Sequence, residues 1–212
     1  MKWRARSLSR RLVPTVLVLA LAGCSGLLGG NAPKLYRITS GSSYPANLPR
    51  HSLQLLVDVP LAPAGLDTSR IALTRSAVTI DYFADSEWTE RAPLLVQTAL
   101  LNSFENSRAI NALDRGSAGL RTDFILMTEL RHFEAVYDSP NGPPEIWVAM
   151  SVRLVNPASR DIVAQTAFER RERASANDMH SIISAFDEAL GGVMKEIVVW
   201  TVTNPTLSVK RA

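Results

Sequence analysis

"EIWVAMSVRLVNPASRDIVAQTAFERR", residues 145–171, holds two runs of alternating apolar and polar residues on either side of a turn signal. Ile146, Val148, Met150, Val152 and Leu154 recur at every second position, the period of a strand with one buried face. Between the runs, "NPASRD" (156–161) gathers Asn, Pro, Ser and Asp, residues that favour turns. Strands joined by so short a connection run antiparallel. Glu145–Asn156 and Asp161–Arg171 are therefore expected to form a hairpin within an antiparallel sheet.

Outward from this hairpin, Asp123–Tyr137 alternates in the same way and supplies a third long strand. On the C-terminal side, Asn177 or Asp178 is placed to cap a helix reaching about Trp200. Met179, Ile182, Ile183, Phe186, Ala189, Leu190, Val193, Met194, Ile197 and Val198 recur in it at spacings of three and four, as an amphipathic helix requires. Gly191-Gly192 in its middle costs roughly 1 kcal/mol per glycine relative to alanine. Close packing or a kink is the expected reason.

The N-terminal half reads as shorter elements. Leu35–Ser40 is a candidate strand, and His51–Leu61 is another, ended by Pro60 and Pro63. Ile71–Ser76 and the alternating Val78, Ile80 and Tyr82 form either a hairpin or one bent strand; the sequence leaves both open. Thr89 is the expected N-cap of a helix to about Asn106, with Pro93 in its first turn and Leu95, Ala99, Leu100 and Phe104 on its core face. The fold class is α+β: an antiparallel β-sheet with two main helices packed on one face. The single domain is expected over 34–203, followed by a C-terminal tail, 204–212.

Ahead of it stands a different kind of segment. Lys2, Arg4, Arg6, Arg10 and Arg11 precede the apolar run Leu12–Ala22, which is too short to span a bilayer and has the layout of a signal peptide. Removing residues 1–23 takes away five basic and no acidic residues, leaving 18 Lys and Arg against 20 Asp and Glu. The overall charge of +3 thus becomes −2, which removes the basic footprint expected of a nucleic-acid binder. Cys24 is the only cysteine, so no disulfide can form within the chain. Leu21-Ala22-Gly23-Cys24 resembles a bacterial lipobox, which implies cleavage before Cys24 and acylation of its thiol. One acyl chain anchors only marginally, and two or more hold a protein stably on a membrane. Ser25, rather than Asp, follows the cysteine, which by the Gram-negative sorting rule implies the outer membrane. Residues 24–33 form a lipidated tether of small, Gly-rich composition.

Motifs for chemistry are absent. The sequence has no paired-cysteine or His-x-x-x-His metal spacing, no G-x-S-x-G elbow and no glycine-rich phosphate loop, so no catalytic residue, metal or cofactor is assigned. His51, His132 and His180 read as surface or strand-end residues, and Asp81, Asp85 and Glu87 as a solvated turn.

Four stretches carry a resemblance: "LDTSRIAL" (66–73), "DYFADSEWTERAPLLVQTAL" (81–100), "DFILMTELRHFEAVY" (123–137) and "AFDEALGGVMKEIVVWTV" (185–202). In this order and spacing they resemble the ABC-type transport auxiliary lipoprotein family. The resemblance implies a non-enzymatic envelope lipoprotein that works with an MCE-family protein and an ABC permease and ATPase to move lipids or other hydrophobic molecules between the two membranes; with Ser25 it is expected to face the periplasm from the outer membrane. It allows a homo-oligomer and implies no nucleic acid. A lipid carrier with its own cavity and an envelope assembly lipoprotein are the alternatives. The recurring positions carried over are Leu66, Asp67, Thr68, Arg70, Ile71, Tyr82, Trp88, Phe133 and Glu134. Asp67 is expected to cap a turn, Arg70 to pair locally, and Trp88 to pin a loop to the first helix. Tyr82, Phe83 and Trp88 are the candidates for a partner-facing loop, since an aromatic and acidic tip is a reasonable docking surface.

Overall fold

The computed structural model describes residues 32–39, 43–116, 119 and 121–208, all from the unit that begins at Pro33 apart from Ala32. Its elements in chain order are β1 (Lys34–Tyr36), β2 (His51–Val57), β3 (Arg70–Ser76), β4 (Thr79–Trp88), α1 (Ala92–Ser107), β5 (Ile110–Asp114), β6 (Phe124–Val136), β7 (Glu145–Asn156), β8 (Asp161–Arg173) and α2 (Met179–Thr203).

The β7–β8 hairpin forms as its alternation requires, paired from Glu145↔Arg173 to Asn156↔Asp161. At the turn, Asn156 accepts the Ala158 N–H on its side chain at 3.0 Å and the Arg160 N–H on its carbonyl at 2.8 Å. β6 pairs antiparallel along the whole of β7, with an irregularity at Arg131 between Leu130 and His132. Ile146, Val148, Met150, Val152 and Leu154 are all fully buried, so the period-2 reading named the core face correctly.

The other edge of β6 carries two parallel partners end to end. β2 pairs at Leu55↔Phe124 to Val57↔Leu126, and β3 at Ala72↔Glu134 to Thr74↔Val136, with Leu61↔Glu129 as a lone bridge between them. The chain from 55 to 74 thus runs beside β6 in one direction. Pro60 and Pro63 lack the N–H groups a continuous ladder needs, so residues 62–69 leave the sheet as a loop. β3 and β4 resolve as a hairpin, Ser76↔Thr79 and Ala72↔Tyr82, with one register shift between Leu73 and Ser76 and another between Tyr82 and Glu87, a stretch that contains Asp85 at φ 51°. β1 lies parallel to the end of β4, and β5, which the sequence reading lacked, lies parallel to β2. The α+β class holds, and the sheet of eight strands is mixed: hairpin neighbours are antiparallel, while the parallel pairs join segments distant in sequence.

Both helices pack on the buried face and against each other. α1 starts later than expected. Its N-cap is Arg91, with no side-chain cap bond, because Thr89 gives its N–H to the Tyr36 carbonyl at 2.8 Å and so belongs to the β1–β4 pairing. The buried Gln97 ties α1 to the sheet, its Nε2 donating to the Val57 carbonyl at 2.9 Å. α2 is followed by a 3₁₀ turn, Pro205–Ser208, and Leu207 is buried, so the packed domain runs past the expected boundary at 203.

Asp178 is the cap of α2, accepting the Ser181 N–H at 3.0 Å and the Ser181 hydroxyl at 2.9 Å. The backbone bond from Ser181 first, then the hydroxyl, hold this carboxyl below the ordinary aspartate range. A depressed folded-state value stabilises above the unfolded-chain value and ceases to do so as pH falls through the folded one. Asp178→Ala is therefore expected to lower the thermal midpoint at pH 7, and the gap from the parent to close as pH drops below about 3.9. Circular-dichroism melts across that range check it; a gap independent of pH overturns it.

Candidate functional site

Leu66, Asp67, Thr68, Arg70, Ile71, Tyr82 and Trp88, seven of the recurring positions, meet around one loop. Residues 62–69 are stitched to β4 and to the start of α1: Trp88 N–H donates to the Ser69 carbonyl at 2.7 Å, Ala92 N–H to the Thr68 carbonyl at 3.0 Å, and the Ser69 hydroxyl to Glu87 at 3.0 Å. Tyr82 closes the loop from the other side, its hydroxyl donating to the Gly65 carbonyl at 3.1 Å. Asp67 receives Arg91 Nε at 2.9 Å together with Arg91 Nη2, so this carboxylate holds the residue before α1 rather than capping its own turn. Arg70 lies over the Tyr82 ring, 3.8 Å from its centroid. Leu66 and Ile71 are buried beneath. A single spatial unit accounts for a motif scattered over residues 66–92.

The expected partner-facing positions are on β4 rather than on a loop. Trp88 is 1% exposed and packs against Phe133 at 5.4 Å and Phe186 at 5.2 Å between ring centroids, joining β4, β6 and α2. Burial removes it from any partner-facing role. Tyr82 is half-buried by its bond to Gly65, and Phe83, also half-buried, tilts against Tyr137 at 6.4 Å. Asp81, Asp85 and Glu87 belong to the same strand, with Asp81 3.8 Å from Arg75. Cys24 and the tether up to residue 31 lie outside the described residues.

Glu134 is nearly buried; its two oxygens take the Phe133 N–H at 2.8 Å and His132 Nδ1 at 2.7 Å. His132 stacks on Trp147, ring centroids 3.3 Å apart, and Arg171 covers the other side of the indole at 3.9 Å. This stack occupies the sheet face away from the helices. It was invisible in the sequence because its three members sit on three strands. His51 donates from Nε2 to the Val202 carbonyl at 2.7 Å, a packing role.

The described surface includes the stacked face, the hairpin tip at Ala77-Val78, and a groove of about 680 Å³ between β8 and α2. Phe168, Gly192, Val199 and Trp200 contribute to the groove, and Arg170 pairs with Glu196 across it. A Cβ on Gly192 would meet the Arg170 side chain at 3.3 Å, so this glycine admits a crossing side chain. Tyr137 lies near the hairpin; burial pushes its phenol above the ordinary range, opposed by Arg75 over the ring.

Among the described residues, no group of three His, Cys, Asp or Glu side chains is placed to hold a metal ion, and no helix is long and apolar enough to cross a membrane. Fold and surfaces together define an α+β domain whose described features are packing and contact surfaces. The comparisons with known proteins specify the class. The sequence profile of the ABC-type transport auxiliary lipoprotein component family matches residues 36–198, and the chain belongs to that family. This is an auxiliary lipoprotein family of transport, not a catalytic one. The chain is 32% identical over 186 residues to the uncharacterized protein bll6063 of Bradyrhizobium diazoefficiens, covering 86% of this chain and spanning only 49% of that relative. Protein XCC0632 of Xanthomonas campestris, of the DUF330 family, superposes with a TM-score of 0.77 at 25% identity, covering 82% of this chain and 98% of that one. A second crystal structure, of an uncharacterized protein, shares the fold at a TM-score of 0.60 and 12% identity, covering 79% of this chain and 97% of that one.

Proposed function

We propose that this chain is a lipid-anchored envelope subunit of an MCE-type ABC transport system, acylated at Cys24 and facing the periplasm from the outer membrane. There it docks the transporter that moves lipids or other hydrophobic molecules between the two membranes. The observation that carries this reading is the family match across 36–198 behind a lipobox. Two structural facts favour docking over carrying. Ile182, Phe186, Leu190, Val193, Met194, Ile197 and Val198 of α2 are consumed by the core, and the space beside that helix, at Val199 and Trp200, is an open groove rather than an enclosed chamber.

Extraction of the lipidated protein from its envelope tests the proposal. An MCE-type protein is expected to co-purify, with phospholipid bound to the domain well below stoichiometric. Stoichiometric phospholipid with no transport component would favour the carrier and overturn docking.

A further inference from the structure

The β3–β4 hairpin ends in a turn whose residues the turn does not require. Ser76 and Thr79 pair around Ala77-Val78, where a two-residue connection ordinarily favours Asn, Asp or Gly. Val78 is 91% exposed and Ile80 43% exposed. The tip is nevertheless tightly bound: the Thr74 hydroxyl contacts the carbonyls of Ser76 at 2.5 Å and Thr79 at 2.8 Å, and the hydroxyls of Ser76 and Thr79 lie 2.7 Å apart. From Ser76 to Ile80 the chain carries no charge, and the first charges behind it, Arg75 and Asp81, face each other at 3.8 Å.

The direction of the chain says what meets this tip. β1 runs parallel to β4 with Lys34 opposite Ser86, so β1 begins on the side on which β4 begins, the side of the tip. Eight residue steps from Ser86 back to Val78 cover about 26 Å at strand spacing. Ten steps from Cys24 to Lys34 reach at most about 35 Å. The same end of the sheet carries the β6–β7 connection, whose "SPNGPP" (139–144) is uncharged between the flanking Asp138, which pairs with Arg173 at 3.0 Å, and Glu145. The opposite end carries the β7–β8 turn.

We infer that Ala77-Val78 and Ile80 dip into the phospholipid leaflet that holds the Cys24 anchor, and set the domain's orientation on it. This rests on the lipid-anchor reading above. The anchor supplies residence on the membrane, and the small apolar tip supplies attitude: a rigid wedge with its ionic collar at the headgroups.

The lipidated mature protein carrying Val78→Cys has one free thiol, because Cys24 is acylated. Labelled there with an environment-sensitive nitrobenzoxadiazole probe and reconstituted into phosphatidylethanolamine–phosphatidylglycerol vesicles, it is expected to brighten about twofold or more on leaving water for the headgroup–acyl boundary. Spin-labelled lipids are expected to quench it. The same probe on Ile162→Cys, 55% exposed at the opposite end of the sheet, is expected to stay water-like. Flotation with the vesicles is measured on the same samples. Protein that floats while its residue-78 probe remains in water overturns the inference and leaves the anchor standing. Protein that fails to float overturns both.

Discussion

Trp88→Ala is expected to remove about 3–5 kcal/mol of folding stability, a large share of the roughly 5–15 kcal/mol that holds a domain of this kind together. The indole is 1% exposed and lies against Phe133 from β6 and Phe186 from α2, rings that also touch each other at 5.0 Å. Truncation empties the junction of a strand at one side of the sheet, its central strand and the long helix. Urea denaturation gives the loss directly, with Trp88→Phe expected to recover part of it. An unchanged midpoint for the alanine variant would contradict the packing role and reopen the surface one.

That residue also shows where reading the sequence stops. "YFADSEW" (82–88) looks like an acidic loop because three carboxylates crowd aromatics within residues 81–88. In the structure the positive φ at Asp85 shifts the register of β4, so the strict period-2 signature of a strand is broken within the strand itself. β5 escaped for another reason: its five residues have too few alternations to show a period, and its partner β2 lies more than fifty positions earlier. By contrast β6, β7, β8 and α2 were legible because their lengths of 12 to 25 residues repeat a pattern many times. The surfaces were the least legible part. Whether Val78 is bare, or whether His132, Trp147 and Arg171 stack, depends on relations between strands that no local pattern carries.

The second large effect concerns the anchor. If Cys24 is the proposed anchor, Cys24→Ser is expected to abolish incorporation of labelled palmitate, and the altered protein is expected to be released from membranes or held as an unprocessed precursor at the inner membrane. The magnitude follows from the chemistry: each buried methylene contributes about 0.8 kcal/mol, so losing the acyl chains removes far more binding energy than a handful of exposed side chains can replace. The described domain begins beyond this residue, and its urea midpoint should stay that of the parent. Labelled palmitate still entering the serine variant would defeat the assignment of Cys24.

β8 offers thirteen residues of backbone on its outer edge, with β7 as its only partner among the described strands. A bare edge of that length is a template for runaway fibre growth. Its final five residues, "ERRER" (169–173), bear on that hazard, since copies stacked in parallel and in register would set Glu169 on Glu169 and Arg170 on Arg170 in unbroken columns of like sign. The charged end of one strand would thereby act as a solubility safeguard for a molecule that, on the proposed anchor, would meet its own kind often.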